Sequence, residues 1–544
     1  MTAKPPSVQK VKHLILDYII EEMKPLRTVE SDSFKRLVTG LCPTATVMTR
    51  TTLAQLVSFK YDEMISSLSK KLDAVDVVCT TTDLWSSQNR SFLGITVHWL
   101  ETVSLERMSA ALACKRFKGG HTYDKIAAAI HEVHVKFNID HKVSRTCTDN
   151  GSNMVKAFKE FEGKIETQAL QQSTDSGSDD GDGDDDIGDG EANATDLLTK
   201  AADGVNDDES EEPVIVLPRH MRCCTHTINL VATTDAQKAC DDKQYKRTHN
   251  AAMAKAAALW NLTSRSTKAA DTAFDILGYR FNVPTVTSWN SFYEAVSKII
   301  RDEAKTNKVC QALNLPVLTH SDIVFLKEYA ATLKPLATAI DILQGEKNCY
   351  MGYVLPTIQS LMSNIQSTPS SVVAVLKKAV TEGLHARFDH YFTDEDFILA
   401  TLTHPKFKLS WVDDTLKKAQ YTQLLETACS TLTNEIEPGA PDSDAVETED
   451  EDRFLNLHTS SLSANNDNSQ CLAYLSDPDR SIAMLSRYPK IKHLFIKYNT
   501  DIPSSAAVEL LFSSASIVLC KRRNRLCDET FEKLLLLRQN KHIV

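Results

Sequence analysis

The sequence of 544 residues lacks any apolar run long enough to cross a bilayer. Its longest apolar stretches, such as Val214–Leu217, are far shorter than the ~20 residues that a spanning helix needs. Lysines occur near the N-terminus, but Asp17 and the Glu21–Glu22 pair interrupt the apolar residues there, unlike a secretory signal. We therefore expect no membrane among the partners of this protein.

Paired metal-binding cysteines are missing as well. No Cys-x-x-Cys is followed by a pair of histidines, so no zinc finger is predicted within this chain. The 13 cysteines are odd in number and scattered along the sequence. We therefore expect reduced thiols in a cytosolic or nuclear protein rather than a disulfide framework.

Basic residues are outnumbered by acidic ones, 61 to 72, but the acidic residues are unevenly distributed. Residues 171–212 hold 16 acidic residues and one basic residue, and residues 435–452 hold nine acidic residues and no basic one. The remainder is consequently basic, which is compatible with a polyanionic partner. Because residues 171–212 have few apolar side chains to offset the entropy cost of ordering, we predict that they are disordered and dispensable for folding.

The spacing of apolar residues changes along the chain. Residues 8–72 have helical spacing, and three β-rich segments follow between residues 77 and 117. A helix, a strand at residues 143–148 and a second helix complete an α/β pattern, and we place a fifth strand at Val214–Leu217. The predicted fold class is α/β + α. The predicted divisions are a helical N-terminal region (1–72), the first part of the core (73–170), the acidic segment (171–212), the last core strand with a long helical region (213–434), an acidic linker (435–465) and a C-terminal region that completes the core (466–544).

Two acidic motifs follow predicted strands of one sheet. Asp83 lies in TDLWSS at the end of the first strand, and Asp149 lies in CTDNGSNM at the end of the fourth. Carboxylates at the ends of neighbouring strands can hold a hard divalent cation, and two such ions support phosphoryl transfer. Spacing alone favours a plainer interpretation, in which Asp83 caps a turn and Asp149 caps the next helix.

These two motifs belong to a longer resemblance. TTDLWSSQNRSFLGITVHWL and CTDNGSNMVKAF resemble the two aspartate motifs of hAT-superfamily transposases. Three segments that resemble further motifs of that superfamily follow in the same order: RCCTHTINL at 222–230, TSWNS at 287–291, and SSAAVELLFS at 504–513 with KRRNRL after it. Five motifs in order, between about residues 8 and 541, are highly specific.

The resemblance implies a ribonuclease-H-like core that a large all-helical insertion interrupts. It assigns Asp83, Asp149 and Glu509 as catalytic residues and as ligands of Mg or Mn ions, if the protein is active. His226 and Trp289 would contact DNA, Trp289 by stacking on an extruded base. The remaining expected DNA contacts are Lys521, Arg522, Arg523 and Arg525, and the expected homodimer surface consists of Leu511, Phe512, Phe531, Leu535 and Leu536.

Structural interpretations compete with several of these assignments. Cys223 and His226 also fit the start of a buried helix, and Trp289 with Phe292 also fits a helix packed in the core. The leucines of the C-terminal region also fit the core of a single chain, and the basic cluster also fits a solvated turn. A helix that is apolar on more than one side is either buried or meets a partner, and the resemblance favours a partner.

Departures from the family pattern bear on activity. Ser288 stands where the family has Arg before the tryptophan, Leu510 stands where Arg often follows the glutamate, and Ser516 stands at a common Gly. Active relatives usually also carry an N-terminal BED zinc finger, and this sequence begins just after where one is expected, which fits a truncated gene model, a spliced form or a protein that lost its DNA reader. We expect a host-domesticated nuclear protein that homodimerises through its C-terminal region and associates with DNA or chromatin without transposition, and that has no small-molecule substrate. The alternatives are an active hAT transposase, which cleaves DNA and transfers strands with metal ions, and a protein-interaction scaffold without DNA contact.

Overall fold

A computed structural model describes residues 7–163, 215–284, 289–345, 350–436, 463–519 and 526–543. The predictions made for residues 171–212, for most of the 435–465 linker and for Lys521, Arg522, Arg523 and Arg525 fall outside these ranges, as does Ser288. They remain predictions.

A mixed five-stranded sheet forms one part of the molecule, with the strand order β3-β2-β1-β4-β5. The first three strands are antiparallel neighbours, whereas β4 and β5 run parallel to β1. All residues from Phe92 to Leu100 of β2 are buried, as expected for a strand that helices cover on both faces. The strands are β1 (Val78–Ser87), β2 (Arg90–Leu100), β3 (Arg107–Phe117), β4 (Val143–Thr148) and β5 (Arg219–Arg222).

The fifth strand differs from its predicted place. It is formed by Arg219–Arg222, whereas Leu217 makes only an isolated bridge to Glu162 and the prediction of a strand at Val214–Leu217 was wrong. The apolar run directed the prediction, but β5 is an edge strand with the burial pattern exposed, half-buried, buried, exposed. An edge strand needs only one buried side chain, so its sequence carries little hydrophobic signal.

Helices account for most of the remaining structure. In the N-terminal region α1 and α3 pack against α19, the last helix of the chain, as the helical N-terminal prediction allows. A second hydrophobic core lies among the helices between β5 and α18. The helices are α1 (Val8–Glu21), α2 (Asp32–Leu41), α3 (Arg50–Asp73), α4 (Tyr123–Lys136), α5 (Ser152–Phe161), α6 (Cys224–Leu230), α7 (Lys243–Arg265), α8 (Thr267–Leu277), α9 (Trp289–Ile300), α10 (Glu303–Ala312), α11 (His320–Leu343), α12 (Val354–Ser367), α13 (Ala374–Phe388), α14 (Glu395–Thr403), α15 (Thr415–Ile436), α16 (Ser463–Ser476), α17 (Pro489–Asn499), α18 (Ala506–Val518) and α19 (Asp528–Gln539).

Two arginines join the helical part to the sheet. Arg107, the first residue of β3, donates to the carbonyl oxygens of Asn499 and Thr500 at the end of α17. Arg145, buried in β4, forms ion pairs with Asp396 of α14 and with Asp501, whose Oδ2 lies 3.3 Å from its Nε. Together these contacts fix where the chain leaves α17 and turns back toward the sheet.

The C-terminal helices return to the sheet and complete the core there. Helix α18 packs on β1 and β2, and α19 packs on β3. The ring of Phe512 stacks on Trp85 with centroids 5.6 Å apart, and the ring of Phe531 lies 5.1 Å from that of Phe92. The side-chain amide of Asn540 also bonds both backbone groups of Ala111, each at 2.8 Å.

This packing corrects the predicted homodimer surface. Every residue assigned to that surface is buried within the single chain, and each is at most 6% exposed. Helix α19 looks too apolar for one helix face because it is covered from two sides, by β3 and by α1 and α3, whereas α18 is covered by β1, β2 and α19. The residues concerned are Leu511, Phe512, Phe531, Leu535 and Leu536.

Within the described ranges, no helix combines the length and the hydropathy that a membrane span requires.

Replacing Phe531 should destabilise the fold rather than dissociate a dimer. We expect Phe531→Ala to lower the free energy of unfolding by about 3–5 kcal/mol, because it leaves a cavity beside Phe92. The control is Ile517→Ala in α18, where the side chain is 62% exposed and the change should stay within about 0.5 kcal/mol. Denaturant unfolding followed by circular dichroism measures both. A Phe531→Ala protein of unchanged stability and halved mass in light scattering would restore the interface assignment.

Candidate active site at the carboxyl ends of β1 and β4

The two aspartates meet because their strands are adjacent and parallel. Thr81 of β1 pairs with Cys147 of β4, and each aspartate comes two residues later. Asp83 and Asp149 therefore lie side by side where the β1–β4 pairing ends, although β1 itself continues to Ser87 rather than ending at Asp83 as predicted. Both side chains are half-buried, so they lie at a surface that a ligand can reach.

Glu509 reaches this edge because α18 lies unusually close to the sheet. Gly94 of β2 is the register partner of Asp83. A Cβ at Gly94 would lie 2.6 Å from the ring of Phe512 and 2.7 Å from a methyl group of Val508. Only a residue without a side chain leaves room for α18 here, and Glu509, one residue after Val508, is thereby carried to the aspartates.

The electrostatics of Asp83 show that the three carboxylates lie near one another. Burial, together with the negative charges of Asp149 and Glu509, raises the pKa of Asp83 to about 8. The N–H of Leu84, 2.7 Å from Asp83 Oδ1, opposes the shift by stabilising the ionised form. A carboxyl group with so raised a pKa, close to two other carboxyl groups, is typical of a functional site such as a cation-binding site.

The surroundings of Glu509 have the same character. Partial burial of its carboxyl group raises its pKa, as do the neighbouring Cys223 and Asp149, whereas His226 lowers it. Much of the rest of the Glu509 side chain is exposed, at the rim of the site. Within the described ranges, none of the three carboxylates forms an ion pair with a basic side chain, so His226 compensates their repulsion only in part.

The donor set suits a hard divalent ion, but it is not arranged as a closed cage. Three carboxylates offer the oxygen ligands that Mg and Mn prefer. Asn150 Oδ1 is also buried and accepts no hydrogen bond. As oriented, however, no three His, Cys, Asp or Glu side chains of the described residues are grouped closely enough to hold a metal ion. One oxygen of Asp149 instead accepts the N–H of Gly151 at 3.1 Å, just as Asp83 accepts that of Leu84.

The predicted DNA contacts are only partly placed by the structure. His226 is half-buried in α6 and acts electrostatically on Glu509. Trp289 is the first residue of α9. Its contact with DNA stays a prediction. The basic cluster Lys521, Arg522, Arg523 and Arg525 lies outside the described residues.

Sequence reasoning missed two residues of this region. Gly94 lies within a predicted strand. A glycine within such a β-rich run signals the close approach of another backbone or side chain, which here is α18. Arg222, the last residue of β5, is exposed at the same sheet edge that carries Asp149. Its signal was the motif RCCTHTINL itself, which it opens.

One of the comparisons with known proteins falls on the strands that carry the two aspartates. The family model of the ZBED1 RNase-like domain matches residues 81–175, which include Asp83 and Asp149. Two proteins from Zea mays, "Putative AC transposase" and "Putative AC9 transposase", are each 30% identical to this chain over 148 residues. The aligned region is 27% of this chain and only 18% and 17% of the two maize proteins. The RNase-like family and the mixed sheet together support a ribonuclease-H-like core.

Placing a side chain at Gly94 should push α18 from the sheet. We expect Gly94→Ala to lower the free energy of unfolding by about 1–3 kcal/mol, because its Cβ would overlap Phe512 and Val508. The matched control is Gly40→Ala in α2, where a Cβ meets nothing within 4 Å and the change should be neutral or stabilising by about 0.5–1 kcal/mol. Thermal unfolding of both variants measures the difference. Equal stability of Gly94→Ala and wild type would contradict the seating of α18.

The raised pKa of Asp83 predicts a pH-dependent stability in metal-free buffer. The carboxyl group titrates near 3.8 when unfolded and near 8 when folded. Its contribution to stability is therefore fully present below pH 3.8 and is lost as pH rises toward 8. Because Asp83→Asn carries no ionisable group, it should gain stability relative to wild type between pH 4.5 and 8. Urea midpoints with a chelator present, with the exposed Asp275→Asn as control, measure this gap. A gap that is constant with pH contradicts the prediction.

Proposed function

We propose that this chain, a hAT-superfamily transposase-derived protein, is a nuclear DNA-associating protein that keeps a divalent-cation site at Asp83, Asp149 and Glu509. The observation that carries the proposal is the close approach of α18 to Gly94, the register partner of Asp83, which brings Glu509 to the part of the sheet that holds the two aspartates. Glu509 is 360 positions beyond Asp149 in the chain, and a surface helix without a role at the site has no reason to bring it there.

The residues at this edge suit the chemistry of phosphate esters. A bound Mg or Mn ion would supply Lewis-acid stabilisation of a phosphoryl oxygen and would activate a nucleophilic oxygen. Asp83, Asp149 and Glu509 would hold the ion, and its charge would favour the ionised form of Asp83. His226 and the exposed Arg222 flank the carboxylates, where they would attract and orient a phosphate backbone.

We assign the helices between β5 and α18 to an insertion in the ribonuclease-H-like core. This proposal is supported by their own hydrophobic core, which is separate from that of most of the sheet, and by the return of α18 to β1 and β2. Trp289, at the start of α9, and the basic cluster near residues 521–525 are the proposed further DNA contacts. That cluster and the similarity to two proteins named as putative transposases also support the nuclear location.

An active transposase is the second candidate, and the site favours it. The family departures at Leu510 and Ser516 lie on the exposed face of α18 and leave the three carboxylates unchanged. Loss of an activity commonly leaves its acidic residues free to change, whereas here all three are present. The departures from the family pattern are therefore the sole argument for a domesticated protein that does not cleave DNA. The complete set of three carboxylates is the argument for DNA cleavage.

Homodimerisation is proposed from the resemblance, and its surface has to lie outside the five buried residues. Leu510 and Ile517 are the large apolar side chains of α18 that remain exposed, at 56% and 62%. These two side chains are too few to define an interface. Light scattering, which measures the mass of the protein in solution, tests whether it is a dimer.

Manganese should stabilise the wild-type protein through the three carboxylates. At a concentration of 100 times the dissociation constant, bound Mn²⁺ adds about 2.7 kcal/mol to the free energy of unfolding. Asp83→Asn, Asp149→Asn and Glu509→Gln should each abolish most of this gain, whereas the exposed Asp275→Asn should retain it. Thermal unfolding with Mn²⁺ and with chelator measures the effect.

A plasmid assay then separates the two candidate functions. Nicking of supercoiled DNA that requires Mn²⁺ and all three carboxylates supports the enzyme, and DNA binding without nicking supports the domesticated protein. The absence of any Mn²⁺-dependent stabilisation would overturn the cation site itself.

A further inference from the structure

Cys223, which joins β5 to α6, and the first turn of α6 touch both elements that bring carboxylates to the site. The backbone N–H of Cys223 donates to the carbonyl oxygen of Thr148 at 2.7 Å, directly before Asp149. The next N–H, that of Cys224, donates to the carbonyl oxygen of Pro503 at 2.8 Å, in the segment that leads into α18. Two consecutive peptide groups thus connect the end of β4 with the approach to Glu509.

The thiol of Cys223 lies at the centre of this connection. Its sulfur accepts the N–H of His226 at 3.4 Å, which caps α6, and the N–H of Ser505 at 3.3 Å. The thiol itself donates to the hydroxyl oxygen of Ser504 at 3.8 Å, and Thr225 Oγ1 lies 3.0 Å from the sulfur. Cys223 is fully buried, and Thr225 and Ser504 are nearly so and bond each other at 3.0 Å.

Such a set of donors around one sulfur has a structural consequence. A thiol is a weak acceptor, yet a buried N–H without any acceptor costs about 1–3 kcal/mol. Ser505 is the residue directly before α18, and the sulfur is the acceptor that the structure gives its N–H. The position of the sulfur therefore fixes the direction in which α18 begins, and Glu509 lies in the first turn of that helix.

We propose that Cys223 is a positioning residue, whose thiol holds the start of α18 against the end of β4 so that Glu509 faces Asp83 and Asp149. A second contact supports the same arrangement, since the side-chain amide of Asn150, next to Asp149, lies 3.4 Å from the hydroxyl of Thr227. The importance of this role for metal binding rests on the proposed function, but the positioning itself does not.

Hydrogen exchange of the native protein tests the positioning without reference to activity. In Cys223→Ala the amides of residues 503–512 should exchange about tenfold faster, because the N–H of Ser505 loses its acceptor. Cys223→Ser keeps an acceptor at this position and should recover much of the protection. The matched control is Cys114→Ala, a similarly buried cysteine in β3 for which the described residues show a hydrogen bond to Glu532 and none to residues 503–505.

Mn²⁺ binding by the same variants provides the second measurement. Cys223→Ala should weaken it at least tenfold, Cys223→Ser less, and Cys114→Ala not at all. If wild type binds no Mn²⁺, the proposed cation site fails while the exchange result still decides the positioning. Protection of 503–512 in Cys223→Ala equal to that in Cys114→Ala overturns the inference, as does a Cys223→Ser protein that behaves like Cys223→Ala, since sulfur volume would then be the cause. Should Cys223→Ala fail to fold, Thr225→Val removes a hydroxyl of the same cluster, and unchanged exchange in that variant counts against the proposal.

Discussion

The close approach of α18 to the sheet at Gly94 is the constraint on which the candidate site depends. Two carboxylates follow from neighbouring parallel strands, but the third comes from a helix that must lie almost on the backbone of β2. The missing side chain at Gly94 leaves room for Phe512 and Val508, and their burial provides the attraction. The apolar contacts on one side of α18 therefore offset the electrostatic repulsion among the carboxylates on the other side.

The return of the chain to the sheet is guided by polar contacts as well. Arg107 binds the last carbonyl groups of α17, and Arg145 pairs with Asp501 two residues after that helix ends. Arg107 is half-buried, and Arg145 and Asp501 are buried, where an unpaired charge costs several kcal/mol, so the Arg145 contact in particular tolerates little displacement. Cys223 then directs the few residues that remain before α18. The distant glutamate is thus positioned in successive steps along residues 499–509.

The C-terminal helices show how one apolar pattern can arise from two causes. Phe531 and Leu535 resemble an interface because they cover more than one helix face, and in the structure the second face is covered by α1 and α3. A partner subunit and a distant part of the same chain remove the same surface from water. Sequence periodicity reports that burial is needed, but it does not identify the element that provides it.

The sequence by itself determined the order of strands and helices around Asp83 and Asp149, because their hydrophobic periods are local and a parallel β1–β4 pair brings strand ends together. It identified Glu509 only through the resemblance, since no local pattern links residues 360 positions apart. Tertiary structure alone decided the register of Gly94 against Asp83, the donors around Cys223 and the burial of Phe531. It also decided that the fifth strand is Arg219–Arg222, because a polar edge strand is selected by its pairing with β4 rather than by its own hydropathy.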